Sequence, residues 1–288
     1  MTKLLLNMKP TFLKIAASTL LIAGFYMTAQ AQKLKDVQEV SVTAPENIKI
    51  DGRNTEWNDT FQAENKRTGI FYTMSNDDKN LYLVIKSTDL TTNAKILAGG
   101  ITLAINTEGK KKEKESITLT YPLISRPAQG GGQGGRRQMG IIMNNGGRGS
   151  QTPEQRDSAM AVMQKRQLGQ VKEIKISGFK KTTDTLISVY NDLGIKAFSS
   201  IGNDKAFFYE LAIPFEELGI SKDAPKEFAY NVKLNGLQLQ GLDGGEGGRG
   251  GFGGNRGGGG GNFGSRGSGI DYQALTSPTD FWGKYTIK

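Results

Sequence analysis

Residues 70 to 90 constrain this chain more than any other stretch. Two runs rich in aromatic and β-branched residues, Ile70 to Met74 and Leu81 to Ile85, flank the polar segment Ser75 to Asn80. Asn and Asp tolerate left-handed backbone and hydrogen-bond to their own main chain, so the polar segment predicts a hairpin loop. In the second run Leu81, Leu83 and Ile85 fall on one face, and Tyr82 and Val84 on the other. A strand apolar on both faces predicts a central place in a sheet, because an edge position would leave part of it in water.

Further strands can be read around that pair. Val37, Val40 and Val42 predict a weak first strand within 33 to 44, and Ile48-Lys49-Ile50 an alternating strand that ends in the Asp51-Gly52 turn. Residues 53 to 59 then predict a loop or single helical turn that brings Trp57 back towards the sheet. Ile101, Leu103 and Ile105 alternate with polar or small residues, as do Ile117, Leu119 and Tyr121. Between them lies 108 to 115, too charged to bury, and so a solvent-facing hairpin tip. Strands are also predicted at 174 to 177, 186 to 190, 195 to 201, 206 to 213 and 281 to 288. Phe228, Tyr230, Val232 and Leu234 predict one more, with a one-residue change of phase at Gly236 that calls for a β-bulge. One helix of any length is expected. Thr152-Pro153-Glu154-Gln155 forms a capping box with proline at the first helical position, and Gly169 ends the run after Leu168. Its narrow stripe, Ala159, Met160 and Met163, predicts a helix lying on the outside of the fold. Many short strands and one helix point to an all-β antiparallel sandwich with one peripheral helix.

Composition explains why the apolar fraction is only 36%. Nine of the 39 glycines lie in 130 to 149 and 17 in 241 to 269. Such stretches cannot bury enough apolar area to offset their ordering entropy, which predicts two long Gly-rich loop insertions, 127 to 150 and 241 to 269, within one domain spanning 32 to 288. Charge divides the same way. Without the leader lysines and the tract residues, 28 basic and 26 acidic side chains remain, so the net +9 belongs mainly to the leader and the tract arginines.

The leader itself, Met1 to Ala31, has Lys3, Lys9 and Lys14 ahead of an uncharged run containing Leu20-Leu21-Ile22-Ala23-Gly24-Phe25. The small-x-small ending Ala29-Gln30-Ala31 predicts signal-peptide cleavage after Ala31, giving a bacterial protein that is periplasmic, cell-surface or secreted, with no transmembrane span after cleavage. Cysteine and histidine are both absent. Disulfides, thiolate nucleophiles, lipoprotein anchors, Cys-ligated zinc, Ser-His-Asp triads and imidazole bases are therefore excluded.

The remaining candidate chemistry is sparse. Gly247 to Gly267, with Arg249, Phe252, Arg256 and Arg266, resembles RGG segments that bind RNA, but an exported chain rarely meets RNA. The simpler reading is a solvated loop, with the tract arginines drawn loosely to anionic envelope polymers. Asp51, Asp77, Asp78 and Asp89 offer oxygens to calcium, yet they also occupy ordinary turn positions and show no ligand loop of fixed spacing. Glu216 and Glu217 are neighbours in a helical turn, and neighbours of that kind do not face one another across a cleft. No catalytic pair emerges, and an enzyme is not expected.

In order along the chain, Ile48-Lys49-Ile50-Asp51-Gly52 with Glu56-Trp57, the 76 to 83 hairpin, Asp89, the 101 to 106 strand, Tyr209-Glu210-Leu211-Ala212-Ile213-Pro214 with Leu218-Gly219, and a short terminal strand resemble the family 9-like carbohydrate-binding modules of exported bacterial proteins. The resemblance covers about residues 45 to 288. It implies an antiparallel sandwich, carbohydrate as the partner, a sugar held against tryptophan and structural calcium as the one metal to consider, with no other cofactor. Of the two tryptophans, Trp57 sits in a segment such relatives use for packing, as do Tyr72 and Tyr82 by their own pattern. Trp282 differs. With Phe281, Tyr285 and Ile287 on one face, Trp282 shares the other with Lys284 and Thr286, and an aromatic ring on a polar face is what a pyranose stacks on. Trp282 is thus the expected ligand-binding residue. The alternative function is an envelope structural or interaction protein whose Gly/Arg-rich loops contact an anionic polymer or a protein.

Overall fold

The computed structural model of the chain describes residues 33–124, 152–223, 227–237 and 272–288. The leader and both glycine tracts lie outside these residues. Twelve strands and four short helices are found among the described residues: β1 Val42–Thr43, β2 Ala63–Asn65, β3 Ile70–Asn76, β4 Asn80–Ser87, α1 Leu90–Gly99, β5 Ile101–Asn106, β6 Ile117–Tyr121, α2 Pro153–Leu168, β7 Glu173–Ser177, β8 Leu186–Ser188, β9 Lys196–Ile201, β10 Phe207–Pro214, α3 Phe215–Leu218, β11 Glu227–Leu234, α4 Tyr272–Thr276 and β12 Thr279–Thr286. One sheet has the order β1-β3-β4-β10-β9, with β2 also paired to β3, and the other runs β12-β11-β5-β6-β7-β8. As the two-faced apolar pattern requires, β4 lies centrally in the first sheet. Every pairing is antiparallel except the short β1–β3 ladder, which is parallel.

The sheets meet through one core. Tyr72, Met74, Leu83 and Tyr209 from the first sheet join Leu103, Leu119, Tyr230 and Val232 from the second in a single buried cluster. The Tyr72 and Tyr230 hydroxyls lie 3.0 Å apart across the interface, so two polar atoms carried into the core satisfy one another. Gly283, directly opposite Tyr230 on β12, has no room for a side chain: a Cβ there would lie 2.3 Å from the Tyr230 ring.

Several expectations need correction. Ile48 to Ile50 is not a strand, although Ile48 and Ile50 are half-buried and Lys49 is exposed. The alternation is real, but no ladder forms, and the amides that follow, Asp51 and Gly52, donate instead to the Glu210 carboxylate. The phase change at Gly236 is no bulge. There β11 has already ended, Gly236 takes a φ of 73°, and the next amide, Leu237 N, donates to Leu275 O in α4. A second substantial helix exists: α1, capped by Asp89, whose carboxylate accepts from Thr92 N at 2.6 Å. The expected α2 forms with its capping box and packs along β9, with Gln164 and Leu168 buried and Met160 and Met163 half-buried.

Candidate functional site

The inner faces of both sheets are filled by the core, so exposed chemistry lies on outer faces and at the ends of the sandwich. On the first sheet the outer face around Glu210 is closed over on one side, while Phe198 opposite it stays exposed. The segment carrying Trp57 folds down so that its ring meets Tyr82 edge-on at 6.5 Å, and Trp57 Nε1 donates to Glu210 Oε1 at 2.9 Å. The other carboxylate oxygen, Oε2, accepts from Asp51 N at 3.0 Å and Gly52 N at 2.7 Å. Gly52 lies against the Phe198 ring with a φ of 76°, a close approach in left-handed backbone that suits glycine. Glu210 is fully buried, and this burial pushes its carboxyl up to about 7 against the pull of its three donors. A group so enclosed cannot meet a substrate. Its work is to anchor the loop that seats Trp57.

On the second sheet the expected residue, Trp282, stands half-buried on the outer face of β12, an edge strand. Period-two alternation sends Phe281, Gly283 and Tyr285 inward and leaves Asp280, Trp282 and Lys284 on the outer side. Asn231 lies directly opposite Trp282 on β11. Its side-chain amide donates to Asp280 Oδ2 at 2.8 Å, and Arg67 reaches Asp280 Oδ1 at 3.9 Å. Lys284 pairs with Glu227 at 2.5 Å. Towards β5 the charged 107 to 116 segment is tied to the sheet by Lys233 to Glu113 at 2.5 Å and by Asn106, whose side chain accepts from the Glu108 and Lys110 amides. The hairpin tip faces water as expected, with Glu108 and 110 to 115 exposed.

A cleft of about 410 Å³ opens at the start of the same strand. Its walls are the β2–β3 turn, Lys66 to Gly69; the first turns of α1, with Asp89, Thr91, Thr92 and Lys95; and the α4–β12 junction, with Ala274, Ser277 and Thr279. Lys95 is only 6% exposed, and its ammonium donates to Thr279 Oγ1 at 3.0 Å. Burial lowers its pKa. Gly69 has a φ of 70° and would bring a Cβ within 2.7 Å of Thr92 Oγ1, so the turn presses directly on the helix start.

The two tryptophans therefore sit on the outer faces of opposite sheets and do not close on one ligand. Tyr72 lies in the core, and Tyr82 is buried on the outer face beneath Trp57 with its hydroxyl donating to Asp77 Oδ2 at 2.6 Å. The four aspartates are not gathered. Asp51 accepts from Arg53 N, Asp77 from the Lys79 and Asn80 amides, Asp78 pairs with Lys222, and Asp89 caps α1. Among the described residues no group of three or more Asp or Glu side chains is placed to hold a metal ion. Glu216 and Glu217 both reach Lys181, so this pair converges on a lysine. Sequence reading passed over Glu210, Lys95, Arg67 and Asp280. Only Asp89, followed three residues on by Thr92, gave a local sign that a helix begins beside the cleft.

No protein-family model and no curated protein matches this chain. Fold and site together define a mostly β, two-sheet protein of sandwich type that carries a hydrophilic, tryptophan-bearing edge strand. Among the described residues no helix is long and apolar enough to cross a membrane.

Proposed function

We propose that the chain is an exported, non-catalytic carbohydrate-binding protein, similar to the family 9-like sandwich modules, that holds its glycan on the outer side of β12. One observation carries this reading: the Trp282 ring is half-buried on the outer strip of β12 between Asp280, which the buried Asn231 amide holds in place, and Lys284. A sugar presents C–H groups on its ring face and hydroxyls around its rim, so it needs an aromatic plate bordered by donors and acceptors. That is the chemistry of this strip. The leader supplies the expectation of export, and Glu210, the carboxyl whose pKa burial raises, is enclosed and does not reach a ligand.

Glycan-array binding of the purified protein, repeated with Trp282→Ala, tests the proposal. Binding to at least one glycan class, lost in the variant while its melting temperature holds, is expected. Failure to bind any glycan contradicts it. Association that weakens with salt and survives Trp282→Ala favours instead an envelope interaction role through the tract arginines.

A further inference from the structure

The cleft beside β12 is unusual in its charge. Lys66, Arg67 and Lys95 line it against one carboxylate, Asp89, whose Oδ2 is already engaged as the α1 cap. Arg67 lies 3.9 Å from Asp280 and is well exposed, a weak tie that leaves its guanidinium fork able to turn. Lys95 is the more telling group. A buried ammonium is costly unless paired, and among the described residues no carboxylate lies within 4.0 Å of it; its hydrogen-bond partner there is the neutral Thr279 hydroxyl. Loss of hydration lowers its pKa, and an incoming anion would relieve that penalty. Around these cations stand the Thr91, Thr92 and Ser277 side chains, which offer hydroxyl donors and acceptors suited to a polyol.

We propose that this cleft is an acidic-sugar subsite, which takes a carboxylate or sulfate ester carried by a glycan between Lys95, Lys66 and Arg67. The proposal rests on the carbohydrate reading of Trp282 and narrows it to anionic glycans. Thr279 lines the cleft and Trp282 follows three residues later, about 10 Å along the strand at about 3.3 Å per residue but on its opposite face, so the two places are linked around the edge of β12. Arg67 joins the two places: it lines the cleft and contacts Asp280, the neighbour of Trp282 on the outer face. A short oligosaccharide that passes from the outer face around the edge of β12 at Arg67 meets both, with one ring on the tryptophan and an acid group in the cleft.

Titration calorimetry on the purified protein tests this with a galacturonate oligomer, a sulfated galactan oligomer, a neutral galactan oligomer of equal length, and acetate and sulfate as free anions. Lys95→Met keeps the buried alkyl stem and removes the charge. Arg67→Gln alters an exposed residue and serves if the first variant fails to fold, which a thermal melt reveals. At least one acidic oligomer is expected to bind about ten-fold more tightly than the neutral one, and whichever does so identifies the acid group. Either variant should bring acidic binding down to the neutral level, and Lys95→Met should leave neutral binding unchanged. Equal affinity for acidic and neutral oligomers overturns the proposal and leaves the glycan reading intact, as does an acidic preference that survives both substitutions. Free acetate or sulfate binding as tightly as the oligomers overturns the sugar subsite. Absence of binding to every oligomer overturns both readings.

Discussion

Trp57 lies on the outer side of the first sheet and Trp282 on the outer side of the second, and the polar groups around them are used differently. Around Trp57 every polar partner points inward: the indole N–H, two backbone amides and the Glu210 carboxylate satisfy one another beneath a closed loop. Around Trp282 the partners form a partly exposed border, with Asp280 shared between Asn231 and Arg67, and Lys284 held by Glu227. An enclosed network lends stability and rigidity. An open one keeps hydrogen-bonding capacity for a ligand. Nothing in the side chain alone separates a structural tryptophan from a recognition tryptophan; the burial of its nearest carboxylate does.

The contrast can be broken most readily at Trp57. Trp57→Ala removes a ring that is 6% exposed and should cost about 3–5 kcal/mol, measured by denaturant unfolding, whereas a loss under about 1 kcal/mol would mean that the loop is not seated as described. Next in size, Glu210→Gln sets an amide NH2 among the three N–H donors that Glu210 accepts from and should cost about 1–3 kcal/mol. A pH series sharpens the same point. Because the folded carboxyl is raised to about 7 from the ordinary 4.5, the folded state holds a proton that the unfolded chain has released between these values. Stability from this group is full below about 4.5 and is lost as pH rises through about 7. The melting temperature of the native protein should therefore fall between pH 5 and pH 8, and Glu210→Gln should lack that component. An unchanged slope in the variant would assign the titration elsewhere. Smallest of all, Trp282→Ala should change stability by about 1 kcal/mol or less, since the ring is half-exposed at an edge.

Much of the framework is legible because its signals are local. The two apolar faces of 81 to 85 do mark a central strand, the Asn/Asp segment does turn a hairpin, and Thr152 to Gln155 does start a helix. The inward set of β11 and the outward place of Trp282 follow from strict alternation. What misled was alternation without a partner. Ile48 and Ile50 alternate with Lys49 in burial, yet a neighbouring strand is needed to make a ladder, and their pattern does not report one. The α1 helix was hidden because Thr91, Thr92 and the closing Gly99-Gly100 are poor helix formers, so only its cap pointed to it. The cleft was beyond reach for a different reason. Its walls come from 66 to 69, 89 to 95 and 274 to 279, segments brought together only by the closing of the sandwich, and a lysine on a helix reads as solvated until its burial is seen.

Since the chain has just two tryptophans, each can be watched alone. Titrating a bound glycan into Trp57→Phe, where Trp282 is the sole indole, should shift and quench the emission, while Trp282→Phe should show blue, unresponsive emission from the enclosed Trp57. A ligand response from Trp57, or silence from Trp282 while calorimetry reports binding, would contradict the assignment of the sugar face to β12.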